Sequence, residues 1–300
     1  MSTASTTSPD ISGASASGPK KQQGYWAGVG SRVRRDKITL ICGGILLVMF
    51  LLIVFAPWIA PYDPLQGSMA RRLKPVGWQG HLLGTDELGR DMLTRLMYGG
   101  RYSWFVGITP VTIAFAIGGS LGILAGFVGG KVNMLIMRAT DVFYAFPSVL
   151  LAVAISGALG PGIFNAILSM TLVFIPPLIR VSESVTTSVR NLDYVESARA
   201  TGASAFTIVR VHVLPNVMGP IFVYATTLIS VSMILASGLS FLGLGVKPPT
   251  PEWGMMLNTL RTAIYSQPLL ATLPGICIFV TSLCFNLLSD GLRGAMDVRN

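Results

Sequence analysis

Charge is what this sequence has least of. Asp, Glu, Lys and Arg make up 12% of its 300 residues, about half the share found in an ordinary soluble domain. A chain with so little charge cannot dress a water-facing surface, which excludes a soluble enzyme or binding domain. Nucleic acid is excluded as a partner too: the net charge is +9, but no basic groove can be assembled from so few charges. Histidine is nearly absent. His81 and His212 stand in separate loops, so no H-E-x-x-H pair, no Ser-His-Asp grouping and no metal site can be read. The three cysteines, Cys42, Cys277 and Cys284, fall inside apolar runs without ligand spacing and read as packing residues. The cores of the apolar runs contain no Asp, Glu, Lys, Arg or His, although pumps and ion-coupled carriers keep such residues there. If this chain moves a solute, the drive comes from elsewhere.

What the sequence has instead is apolar length. Hydrophobic residues form 51% of the chain and the mean hydropathy is +0.63. A helix crosses the hydrocarbon with about 20 apolar residues. Ile38–Ala60 is the clearest such run, followed by 102–130, 143–158, 163–179, 217–244 and 269–288. Six spans put both termini on one side. That side carries 14 Lys and Arg against 8 on the other, so the positive-inside rule predicts cytoplasmic termini. Residues Met1 to Gln23 are rich in Ser, Thr, Ala and Gly and predict a disordered tail. Arg32, Arg34, Arg35 and Lys37 then anchor the first span against anionic lipid.

The second span carries Gly118, Gly122, Gly126 and Gly130 at every fourth residue. One helix face then holds all four and admits a neighbouring backbone. The segment Ala125–Val132 resembles a phosphate loop only superficially, because it lacks the first Gly and the Ser or Thr after Lys131. Asn165, Ser169, Thr226, Thr227, Ser230 and Ser237 suit either a hydrated path or interhelical hydrogen bonds.

Between the fourth and fifth spans, Asp193 and Glu196 predict a capping box, and Gly202 a left-handed helix end. A second helix is expected over 205–213, stopping before Pro215. On the other side, 91–98 reads as an interfacial helix with Leu93, Leu96 and Met97 on one face. Asp86 and Asp91 lack further oxygen ligands at calcium-site spacing and read as cap and turn. The run Lys247–Pro251 cannot be helical throughout, and Trp253 suits the headgroup level. Together Pro249, Pro251 and Trp253 suggest an external docking surface.

Here the chain resembles a known family. Glu196-Ser197-Ala198, then Gly202, His212 and Pro215, is similar to the EAA motif of binding-protein-dependent ABC importer permeases. Ser197 stands where the middle Ala is usual, and His212 where Ile is usual, a variant that resembles the peptide-transport subgroup. His81–Asp91, Ser240–Gly245 with Pro248–Gly254, and Asn286–Arg293 are similar to the same subgroup, and the likeness spans about residues 35 to 298.

The resemblance implies an all-α membrane protein of the type I ABC importer permease fold with six transmembrane helices. It divides into a tail with a basic anchor (1–37), a first span with external loop (38–101) and a permease core with coupling loop (102–300). It implies a bacterial inner-membrane subunit that forms half of a path for short peptides and is not itself an enzyme. The implied partners are a homologous B-type permease, two ATPase subunits that carry ATP and magnesium, an external substrate-binding protein and membrane lipid. Tyr194, Glu196, Ser197, Ala198, Gly202, His212 and Pro215 would form the ATPase-coupling loop. Nickel chelates, glutathione or opines are alternative cargoes. A stand-alone channel or secondary carrier is the alternative outside the family.

Overall fold

The computed structural model describes residues 30–296, so the tail expected over Met1–Gln23 lies outside the described residues. Among the described residues the chain is helical and holds no strand. Helix α1 (Lys37–Val54) starts at Asp36, whose carboxylate accepts from the Ile38 amide at 3.1 Å. Helix α2 (Met92–Val128) follows a long loop, and α3 (Gly130–Tyr144) and α4 (Ser148–Leu159) meet at a sharp bend. Helix α5 (Ile163–Arg190) leads into the short α6 (Asp193–Ala200). Helix α7 (Leu214–Phe241), the short α8 (Trp253–Leu260) and α9 (Pro268–Met296) complete the chain.

The glycine stripe on α2 decides the topology. A Cβ at Gly118 would lie 2.8 Å from the Ile175 carbonyl oxygen, one at Gly122 2.5 Å from that of Ile179, and one at Gly126 2.7 Å from that of Glu183. The contacts advance along both helices in the same direction, so α2 and α5 pack parallel. The chain between them must therefore return to the starting end. Ile175 is level with Gly118, which puts Ile163 level with about Val106, a climb from Val128 of about 33 Å at 1.5 Å per residue. That matches a hydrocarbon core of about 30 Å. Helices α3 and α4, bent by 83°, make the return as one broken span. With five long apolar helices, the chain crosses six times.

Several expected boundaries move. The second span begins at Met92 rather than 102, so 91–98 is the first part of α2 and not an interfacial helix, and the expected division at residue 101 falls inside α2. Leu96 and Met97 are buried. The expected third span, 143–158, straddles the break at Ala145–Pro147. Gly130 leaves the packing face: α2 ends at Val128 with Gly129 as its cap, and a Cβ on Gly130 would meet nothing within 4 Å. The helix over Ala205–Ile208 does not stop before Pro215. It widens into a π-turn over Val209–Val213, where the Leu214 amide reaches back to the Val209 carbonyl, and runs on into α7. A proline is tolerated there because it sits in the first turn of the new helix, where its missing amide costs least.

Opposite the α6 end, a polar clamp joins α2 to α8. Asp91 caps α2 by accepting from the Thr94 amide at 2.8 Å, and also meets His81 Nδ1 at 2.9 Å. Asp86 turns its loop by accepting from the Leu88 and Arg90 amides, and it pairs with Arg90 at 2.6 Å and Arg95 at 3.0 Å. Glu252 caps α8 through the Gly254 and Met255 amides and accepts from Ser103 Oγ at 2.9 Å. Trp253 is buried and donates from Nε1 to the Leu96 carbonyl at 2.8 Å. It is an interior wedge, not a headgroup anchor.

Candidate functional site

The loop between α5 and α7 is a small helical projection pinned at one point. Val195 is completely buried and packs, with Ala198, into the main apolar core. The rest of α6 faces outward: Tyr194, Glu196 and Ser197 are exposed. Leu192, not Asp193, holds the N-cap position and offers no side-chain cap. The expected capping box is therefore absent. Asp193 and Glu196 instead occupy the first turn, where carboxylates suit the positive end of the helix. Ser197 Oγ bonds back to the Asp193 carbonyl at 2.8 Å.

The far end of α6 closes as a Schellman turn. The Ala203 amide donates to the Ala198 carbonyl at 3.1 Å and the Gly202 amide to the Arg199 carbonyl at 3.0 Å. Gly202 has φ +83°, the left-handed region that this turn requires. Ser204 then caps the next helical turn by accepting from the Thr207 amide at 3.2 Å. The Arg199 guanidinium lies 5.4 Å over the Phe127 ring at the end of α2, and the Tyr194 and His212 rings lie 6.1 Å apart. The loop thus brings together Tyr194, Glu196, Ser197, Ala198, Gly202 and His212, while Pro215 stands exposed on the helix leading away. Phe206 is 74% exposed and Val211 55%, so this projection carries apolar area without a partner among the described residues.

At the other end, Pro249 is exposed, but Pro251 and Trp253 are buried. Of the three residues expected to form an external docking surface, Pro249 alone is presented. The glycine stripe is a packing device at Gly118, Gly122 and Gly126 only.

One polar group escaped the sequence reading. Arg180 pairs with Asp141 at 2.5 Å, and its guanidinium lies 4.5 Å from the centre of the Tyr144 ring. The apolar run ends at Ile179, so Arg180 read as a loop residue. Helix α5 in fact continues to Arg190. Ile179 is level with Gly122, which places Arg180 about 8 Å inside the α6-side end of α2. Nearby, Glu183 accepts from Asn133 Nδ2 at 2.6 Å. No spacing could have flagged these pairs, because the partners stand on opposite sides of the α3–α4 bend.

Comparison with known proteins follows the same lines. The family described as binding-protein-dependent transport system inner membrane component matches residues 118–299. The chain belongs to that family. A second match, the N-terminal TM domain of oligopeptide transport permease C, covers residues 24–75. Among similar proteins, the di/tripeptide transport system permease protein DppC of Pseudomonas aeruginosa is 44% identical over 85% of this chain and 86% of its own length. The glutathione transport system permease protein GsiD of Pectobacterium atrosepticum is 39% identical over 91% of this chain and 90% of its own. Among solved structures, the inward-facing MetNI methionine ABC transporter has a chain that matches with TM-score 0.57 at 17% identity, covering 68% of this chain and 97% of that one. That likeness shows the fold. The chain is a multi-pass inner-membrane permease.

Proposed function

We propose that this permease is one of two membrane subunits of an ATP-driven importer of short peptides. It forms half of the path with a homologous B-type permease, receives cargo from an external binding protein and couples through α6 to separate ATPase subunits that hold ATP and magnesium. Both termini and α6 then face the cytoplasm. The observation that carries the coupling role is α6 itself: a helix anchored by one buried valine, with its polar face and the neighbouring Phe206 and Val211 left outward. Peptide cargo is favoured because a relative 44% identical over most of the chain is named for di- and tripeptides. Glutathione, itself a tripeptide, is the second reading, favoured by the 39% relative named for it.

Gly202→Val tests the coupling role. A left-handed conformation costs a β-branched residue roughly 1–2 kcal/mol or more, so the closing turn of α6 should open while the spans stay folded. The expected outcome is normal membrane abundance, weakened co-purification with the ATPase subunits and lost peptide uptake, with a milder loss for Glu196→Ala. Normal uptake by Gly202→Val would remove the loop from the coupling path. Uptake competition between a dipeptide and glutathione separates the two cargo readings.

A further inference from the structure

The Asp141–Arg180 pair is half-exposed, at 46% and 47% of the side chains, yet on the level set by the glycine contacts it lies about 8 Å inside the α6-side end of the apolar span α2. An exposed ion pair there does not face acyl chains; it faces a bundle interior or a hydrated path. Beside it, the α3–α4 bend and the Pro176-Pro177 step of α5 frame a cavity of about 400 Å³. Its walls include Phe143, Tyr144, Phe146, Phe174 and Leu151. That volume falls within the range of small-molecule sites, which pair apolar walls with a few convergent polar groups.

We propose that this face is a transit site for the two ends of a short zwitterionic peptide. Arg180 takes the carboxylate, Asp141 takes the ammonium group, and side chains rest on the aromatic wall of the cavity. A guanidinium offers a planar fork that fits a carboxylate in two-point contact. The resident pair is weak enough to exchange, because half-exposed ion pairs are screened by water. Exchange also keeps the site neutral: one plus and one minus charge meet one minus and one plus. The cavity passes substrates of varied side chain because its wall is apolar and shaped by rings and prolines, with no charged residue in its lining; the ion pair adjoins it through Tyr144, over whose ring Arg180 lies.

This inference rests on the peptide-importer reading, and its test separates the two. The complete transporter is reconstituted with its binding protein, and uptake of the dipeptide Ala-Phe is compared with its C-terminal amide and its N-acetyl form at equal occupancy of the binding protein. Arg180→Gln should lower the preference for the free acid over the amide about tenfold, the scale of one charge-assisted hydrogen-bonded contact. Asp141→Asn should lower the preference for the free amine over the N-acetyl form by a similar factor. ATP hydrolysis stimulated by the loaded binding protein should persist in both. Arg180→Lys, which keeps the charge but loses the two-point fork, should fall between the unaltered transporter and Arg180→Gln. An ion pair that only braces the helices would slow all three probes alike, and an unchanged preference in either variant overturns the assignment of that end. If the unaltered transporter imports no peptide at all, the importer reading fails instead.

Discussion

A methyl group added at Gly122 would sit 2.5 Å from the Ile179 carbonyl oxygen and 2.5 Å from Ser182 Cβ. Neither neighbour can step aside, since both belong to the backbone or first side-chain carbon of a packed helix. Gly122→Ala should therefore cost about 1–3 kcal/mol as overpacking, read as a lower melting temperature of the purified permease. Gly44 is the matched control: a Cβ there meets nothing within 4 Å, so Gly44→Ala should be neutral or slightly stabilising through helix propensity. Equal effects at the two sites would dismiss close packing at Gly122. The stripe was legible because a four-residue glycine period means one helix face whatever lies opposite. Its end was not: Gly130 shares the period, but α2 stops two residues before it. Trp253 misled for a different reason. An aromatic beside prolines reads as a surface anchor, and nothing nearby announces Ser103 or the Leu96 carbonyl, the partners that bury it.

Helix α8 shows how much a single cap can hold. Glu252 satisfies two amides of the first turn and ties that turn to Ser103 on α2. Glu252→Ala leaves those donors buried without a partner, a loss of about 1–3 kcal/mol. The segment that follows α8 should loosen, and trypsin should cut faster after the exposed Arg261 in the purified permease. An unchanged cleavage rate would mean that the clamp does not restrain this segment. At the scale of elements the apolar runs located most helices, because hydrophobic length is itself the signal for a membrane helix. Their ends were misplaced where a charge is satisfied from far away, as Arg95 is by Asp86, and where a proline is absorbed by a wider turn, as Pro215 is. Gly202 was legible because the left-handed turn it closes is local.

Across the whole molecule, everything turns on the direction of α5. Parallel packing of α2 and α5 requires the segment between them to cross, although α4 alone, with 12 residues, is too short to span. Helices α3 and α4 could otherwise be taken for a hairpin that enters and leaves on one side. The two topologies differ in a way that labelling can read. Lys131 opens α3 and Pro161 follows α4, and both are exposed. In a background with Cys42, Cys277 and Cys284 replaced, cysteine at Pro161 should react with an impermeant maleimide in intact cells. Cysteine at Lys131 should react only after the membrane is opened. A third position, Gln66 in the loop before α2, should behave as Pro161 does, since α1 and α2 place it at the same end. Equal protection of Pro161 and Lys131 in intact cells would make α3–α4 re-entrant, and the parallel α2–α5 contact could not then stand. Labelling of Lys131 but not Pro161 would keep six crossings and reverse the orientation, moving α6 to the outer face and removing it from any ATPase.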